Sequence, residues 1–212
     1  DINRRSTKKP KKFNDRLGSN YTRLVYNRAD LVLTPSLAMK KVLKKQGVEP
    51  TVEVMSNGIN FDLFTKKADY AIKDKLVHIG RLGFEKNVDV IIKAFALALK
   101  TKPSLRLDIY GDGPAKKSLQ LLFKKLKINR QVRFWGAYDI QNVAKNLHTY
   151  DCFVTASTIE TQGIVILEAM SSGLPVLGVN KLAVPEVVKN GQNGYLSRPF
   201  NEVDFAKNII KI

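Results

Sequence analysis

The chain has 212 residues, 44% of them apolar, and carries 36 Lys/Arg against 19 Asp/Glu for a formal charge of +17. That apolar content, in one large or two small domains, suffices for a packed core and excludes a disordered chain. One cysteine (Cys152) and two histidines (His78, His148) exclude a disulfide framework and a cluster-type zinc site, and fit a reducing compartment.

The opening Asp1-Ile2-Asn3-Arg4-Arg5 has no initiator Met and no signal-peptide pattern, so it reads as an internal start, followed by Lys8, Lys9, Lys11 and Lys12. A helix near 20–27, a strand at 31–34, a helix at 36–46 and a strand at 51–55 come next, two βα steps that are too few to close a core of their own. Asn57-Gly58 then marks a turn into an irregular stretch and the domain connection. From residue 76 short apolar runs alternate with helical patterns. Strands are expected at 76–80, 105–110, 132–136, 151–155 and 175–179, and helices at 88–99, 115–126, 141–147 and 164–172. Asn193-Gly194 turns the chain into a short strand at 195–197. Regular βα order predicts an α/β fold with a parallel sheet, right-handed crossovers and helices on both faces. Its ligand crevice would lie beyond the carboxyl ends of the strands, where Gly80-Arg81, Gly111-Asp112, Gly136-Ala137 and 157–159 fall. The most apolar stretch, 88–99, is broken by Asp89 and Lys93, so it does not read as a membrane span.

The charge is concentrated. Residues 1–50 hold thirteen Lys/Arg and four Asp/Glu, net +9, and residues 112–133 hold seven Lys/Arg and one Asp, net +6. Such stretches suit a polyanionic surface, either nucleic acid or anionic lipid. The plainer reading of the second stretch has Lys116, Lys117, Lys124, Lys125 and Lys127 solvating a helix whose Leu119, Leu122, Phe123 and Leu126 face inward.

Two segments carry candidate chemistry. Gly80-Arg81-Leu82-Gly83-Phe84-Glu85-Lys86-Asn87 leaves a strand and enters a helix with two cations five residues apart. A planar guanidinium and a mobile ammonium can neutralise both halves of a diphosphate, including the charge that develops as it departs. In Glu160-Thr161-Gln162-Gly163-Ile164-Val165-Ile166-Leu167-Glu168 a glycine opens a helix whose free N–H groups suit a phosphate. Glu160 and Glu168 could flank one pocket and accept from sugar hydroxyls. The competing readings are a surface ion pair, a carboxylate complementing the helix start and a loop charge. Gly111-Asp112-Gly113-Pro114 lacks the third glycine of a dinucleotide fingerprint, and no Walker, Gly-x-Ser-x-Gly, His-Glu-x-x-His or Asp-x-Asp sequence is present, which implies chemistry without a metal or bound cofactor. His78 reads as a satisfied core or edge histidine rather than a ligand, Cys152 as a small buried apolar residue, and Phe134 and Trp135 as packing.

Together the segments 80–87, 111–114, 160–168, the following Ala169-Met170-Ser171-Ser172-Gly173-Leu174-Pro175-Val176, and Asn190-Gly191-Gln192-Asn193-Gly194-Tyr195 resemble the donor-binding domain of retaining glycosyltransferases of family 4, with the GT-B fold. Ala29-Asp30, Thr34-Pro35-Ser36 and Ser56-Asn57-Gly58-Ile59-Asn60 with Phe64 resemble that family's last N-domain elements and linker, with Asn60 where the family carries an acid. The resemblance implies a truncated remnant of the N-terminal (acceptor) domain over 1–56, a linker over 57–73, and a nucleotide-sugar-binding domain over 74–212 that lacks the final crossover helix. It further implies that Arg81 and Lys86 hold the diphosphate, Glu160 the sugar hydroxyls and Glu168 the ribose diol. Main-chain groups at Gly163 and Ile164 would meet phosphate or sugar, with the loop 136–138 beside the base. Arg81, Lys86 and Glu160 would then be the catalytic residues, with no metal.

The Glu160-Thr161-Gln162-Gly163 variant, the Lys-rich beginning and Tyr26-Asn27-Arg28-Ala29-Asp30 are most similar to bacterial diacylglycerol glucosyltransferases. That implies a UDP-glucose donor, a membrane lipid acceptor, and an anionic membrane surface as partner on the cytoplasmic face, with no nucleic acid. A fragment of this kind would not turn over unaided. The alternatives are a basic nucleic-acid-binding module and a non-catalytic interaction module on the same scaffold.

Overall fold

The computed structural model describes residues 20–212, so the earliest basic run lies outside the described residues. The described residues form two compact units, one ending at Ser56 and one spanning Asn57–Ile212.

In the first unit α1 (20–26) precedes β1 (Leu31–Thr34), α2 (Leu37–Lys45) and β2 (Thr51–Val54). The two strands pair in parallel, Leu31 opposite Thr51 and Thr34 opposite Val54. Ser36 caps α2 by accepting the Met39 N–H at 3.2 Å, the reason the helix starts where it does. Val32, Leu43, Val48 and Val52 form a four-residue core, while Leu31 and Leu33 alternate outward and stay exposed.

The second unit contains β3 (Lys75–Ile79), α3 (Val88–Ala98), β4 (Arg106–Tyr110), α4 (Lys116–Lys125), β5 (Val132–Gly136), α5 (Ile140–Asn146), β6 (Cys152–Val154), α6 (Ile164–Ser171), β7 (Val176–Val179), α7 (Val184–Val187), β8 (Gly194–Ser197) and α8 (Glu202–Lys211). Its six parallel strands lie in the order β5-β4-β3-β6-β7-β8. The chain winds outward from β3 to one edge, returns to β6 beside β3, and winds to the other edge. The order therefore reverses between β3 and β6, which is where an open α/β sheet leaves its ligand crevice.

Side chains alternate between two cores with the period of a strand. Leu76, Leu107, Ile109, Cys152, Val154, Leu177 and Val179 meet Ile91, Phe95, Leu119 and Phe205 from α3, α4 and α8. On the other face Val77, Ile79, Phe153 and Val176 meet Val143, Ile166 and Val184 from α5, α6 and α7. The inward set expected for α4 is seen: Leu119 is buried, and Leu122, Phe123 and Leu126 pack against the core below the lysines. Near the start of β6, Lys67 is itself buried; its Nζ donates to Tyr150 O at 2.5 Å and Asp151 Oδ1 at 3.3 Å. Asp151 Oδ2 accepts the N–H groups of Lys73 and Lys75.

The sequence pattern predicts nothing regular after the strand near 195–197, but a ten-residue helix follows. Asn201 Oδ1 accepts the Asp204 N–H at 2.8 Å, Glu202 and Asp204 complement the helix start, and Phe205, Ala206 and Ile209 pack into the core beside α3. Short helical turns at Phe61–Leu63, Phe84–Lys86, Leu147–Thr149 and Val184–Val187 are likewise absent from the sequence expectation. Each is at most a single turn and carries little periodic signal.

Candidate functional site

One side of the crevice at the reversal is built from two glycine-rich loops, those after β3 and β4, pressed together. Gly80 donates its N–H to Tyr110 O, Leu82 its N–H to Asp112 O, and Ala115 its N–H back to Leu82 O. A Cβ at Gly111 would lie 1.9 Å from Gly80 O, and one at Gly113 would lie 2.6 Å from Leu82 O. The Gly-Asp-Gly-Pro sequence is thus a packing device that lets the two backbones touch, with Leu82 buried as the anchor.

From this clamp the loop after β3 presents its cations. Arg81 has a side chain 61% exposed and hydrogen-bonds Glu85 one helical turn away. Lys86 is deeper, 22% exposed, with Nζ 2.7 Å from Glu160 Oε1, itself 12% exposed. The structure therefore joins as an ion pair two residues that the sequence assigns separately to diphosphate and sugar. Asn87 holds the loop in place. It adopts the left-handed conformation (φ 51°, ψ 38°), and its Nδ2 donates to Glu85 O, Ala156 O and Thr158 Oγ1, tying the β3 loop to the β6 loop. The sequence places Asn87 in its motif without giving it a role.

The segment after β6 is fixed by Gln162, which is buried. Its Oε1 accepts from the backbone and side-chain N–H groups of Asn57 at 3.0 and 2.8 Å, and its Nε2 donates to Asn57 O at 2.8 Å. Gly163 (φ 80°) then caps α6, as expected, and Ile164 begins it. The first turn leaves N–H groups without intrahelical acceptors, with the positive end of the dipole behind them. Glu168, in the second turn, makes no hydrogen bond or ion pair among the described residues, and burial raises its pKa above the usual carboxylate value. The two glutamates do not share a partner: Glu160 faces Lys86, while the charge of Glu168 is felt by Tyr138, whose pKa is raised, burial first and Glu168 second.

Two expectations need correction. His78 is not a fully satisfied core histidine. Its Nδ1 lies 2.8 Å from Val154 O, but Nε2 is buried without a partner among the described residues, and its pKa is lowered to about 4, chiefly by burial. Trp135 is not simply packing. Phe134 does stack on Phe123 in the core, but Trp135 is 44% exposed, parallel to Tyr110 and covered by the Arg133 guanidinium at 3.7 Å. Cys152 is buried, as expected, and burial pushes its thiol pKa up.

A cationic loop, a helix start and two carboxylates around the reversal of a six-stranded parallel sheet can hold an anionic ligand that also offers hydroxyl groups. Residues 62–212 match the family model for glycosyl transferases group 1. The chain belongs to this family of glycosyltransferases. Its fold is that of the GT-B enzymes. It is 29% identical over 203 residues to the sulfoquinovosyl transferase SQD2 of Arabidopsis thaliana, covering 90% of this chain and 38% of that protein. It is 28% identical over 216 residues to the alpha-monoglucosyldiacylglycerol synthase of Acholeplasma laidlawii, covering 95% and 53%. Among solved structures, Anabaena Alr3699/HepE in complex with UDP and glucose superposes with a TM-score of 0.82 at 23% identity, over 92% of this chain and 57% of that one. The chain thus spans between about two fifths and just over half the length of these proteins.

Proposed function

We propose that this group 1 glycosyltransferase chain is the donor-binding part of a retaining enzyme that moves glucose from UDP-glucose to a membrane lipid such as diacylglycerol, on the cytoplasmic face of the membrane. In this reading Lys86 and Arg81 hold the diphosphate, the first turn of α6 at Gly163 and Ile164 receives phosphate or sugar, Glu160 accepts from the sugar hydroxyls and Glu168 from the ribose diol. Arg81 and Lys86 offset the charge that builds on the departing diphosphate, and no metal or cofactor takes part. The observation that carries the reading is the Lys86–Glu160 pair, a cation for the diphosphate and an acceptor for the sugar set 2.7 Å apart between the β3 and β6 loops. Further support comes from a relative named alpha-monoglucosyldiacylglycerol synthase and from the UDP and glucose named in the HepE complex. The basic stretches support an anionic membrane partner, since each cation near anionic headgroups contributes about 1 kcal/mol. The remainder of the enzyme would supply the acceptor site, so this chain alone binds donor without turning it over.

The test is calorimetric titration of UDP, UDP-glucose and GDP-mannose into this chain and its Glu168→Ala variant without added metal. The reading expects binding of the uridine ligands and its loss in the variant. Preference for GDP-mannose, or equal binding by the variant, would refute it.

A further inference from the structure

The second basic stretch of the sequence is left unused by the donor crevice, and the fold carries part of it to the opposite, amino-terminal end of the strands. A cleft of approximately 260 Å³ opens there, lined by Lys75 at the start of β3, Arg106 and Asp108 on β4, Arg130 and Arg133 around the start of β5, and Tyr150. The donor loops leave the carboxyl ends of these same strands, so cleft and crevice lie at opposite ends of β3, β4 and β5.

Its electrostatics are unbalanced. Lys86, Lys93 and Lys116 each hold a carboxylate, whereas Lys75, Arg106, Arg130 and Arg133 form no ion pair with any described residue, and all four are exposed. The one acid in the lining, Asp108, is turned to the Tyr150 hydroxyl, which donates to its Oδ2 at 2.7 Å. Arg106 Nη1 is spent on the carbonyls of Pro103, Ser104 and Leu105, which fixes the guanidinium and leaves its other nitrogens without acceptors among the described residues. Arg133 is fixed by its stack on Trp135, which leaves the edge of its fork unpaired. Gln131 also lines the cleft, and its side-chain oxygen is buried without a donor among the described residues. Two immobilised guanidinium groups, two further cations and an unpaired acceptor make a site for a small group with several anionic oxygens and a hydroxyl.

We propose that this cleft binds a phosphate-bearing ligand, a phosphate monoester or a lipid headgroup phosphate, at a site separate from the donor crevice. This inference does not depend on the donor reading. Trp135 is the chain's single tryptophan, so its emission reports on the cleft through Arg133.

The experiment titrates the full chain with inorganic phosphate and glycerol phosphate against potassium chloride of equal ionic strength, following Trp135 emission. A saturable change absent with chloride is expected. Lys75→Gln/Arg130→Gln, which leaves the Arg133–Trp135 stack intact, should weaken it roughly tenfold or more, while Lys86→Ala in the donor crevice should leave it unchanged. Sedimentation with phosphatidylglycerol or phosphatidylcholine vesicles then identifies the source. Binding to the anionic vesicles that is lost in the double variant marks a headgroup site, and a response to free phosphate without such binding marks a soluble ligand. The proposal is overturned by a response that chloride reproduces, by undiminished affinity in the double variant, by loss of the response in Lys86→Ala, or by DNA binding through the same residues with no response to free phosphate.

Discussion

Replacing Glu160 by Gln separates the two roles proposed above for the Lys86–Glu160 pair. The substitution keeps an oxygen near the 2.7 Å position but removes its charge, leaving an ammonium that is 22% exposed without a counter-ion. A charge-assisted hydrogen bond contributes about 1.5–3 kcal/mol, and the residual solvent contact of both partners lowers this to about 1–2 kcal/mol. For a unit of this size that corresponds to a fall in Tm of roughly 2–8 °C by calorimetry. Ligand binding should move differently. UDP offers Lys86 a replacement anion, so its Kd in Glu160→Gln should stay within about threefold of wild type, while any advantage of UDP-glucose over UDP disappears. Lys86→Ala should weaken both ligands by about tenfold or more. If Glu160→Gln weakens UDP as strongly as Lys86→Ala does, the pair acts only as loop scaffolding and the division of roles is wrong.

Three further outcomes follow from the geometry. His78 is neutral in the fold and its pKa is depressed from 6.5 to about 4, so stability present above pH 6.5 is lost as the pH falls towards 4 while the unfolded chain takes up the proton. Between pH 7 and 4.5 this one group should cost about 2 kcal/mol in urea unfolding, a loss that His78→Leu removes; an equal loss in the variant would place the acid sensitivity elsewhere. Gly111→Ala should cost about 3 kcal/mol or more, because its Cβ would sit 1.9 Å from Gly80 O; a wild-type Tm would show that the two loops are not clamped. Asp151→Ala strands the buried Lys67 ammonium and should cost about 3–5 kcal/mol, with most of it recovered in Lys67→Met/Asp151→Ala, as equilibrium unfolding of the two variants would reveal.

The sheet and most of its helices are legible because their apolar spacing is local: 76–79 and 152–154 read as buried runs, and 88–98 as a helix apolar nearly all round. The strand order is only implied, since pairing of β3 with β6 joins residues some 76 apart. At the site, Arg81, Lys86, Gly163 and Glu168 stand out by type and spacing. That Lys86 meets Glu160, and that Glu85 occupies Arg81, is set by which way side chains turn across loops that carry no period. Asn87 and Gln162 are hidden for the same reason: each works through hydrogen bonds to distant backbone, and an amide in a polar loop gives no sign of that. The orphaned nitrogen of His78 needs the full burial of its strand to become visible.

The placement of α8 has a consequence for how the second unit forms. Phe205, Ala206 and Ile209 complete the layer begun by Ile91, Phe95 and Ala98 of α3, more than a hundred residues earlier. During synthesis at about 5–20 residues per second, the side of α3 that packs on α8 waits several seconds for that cover after α3 leaves the ribosome. A chain halted before residue 205 keeps that surface open and offers it to chaperones or to other nascent chains. For this unit, closure of the α3 layer waits on the residues of α8.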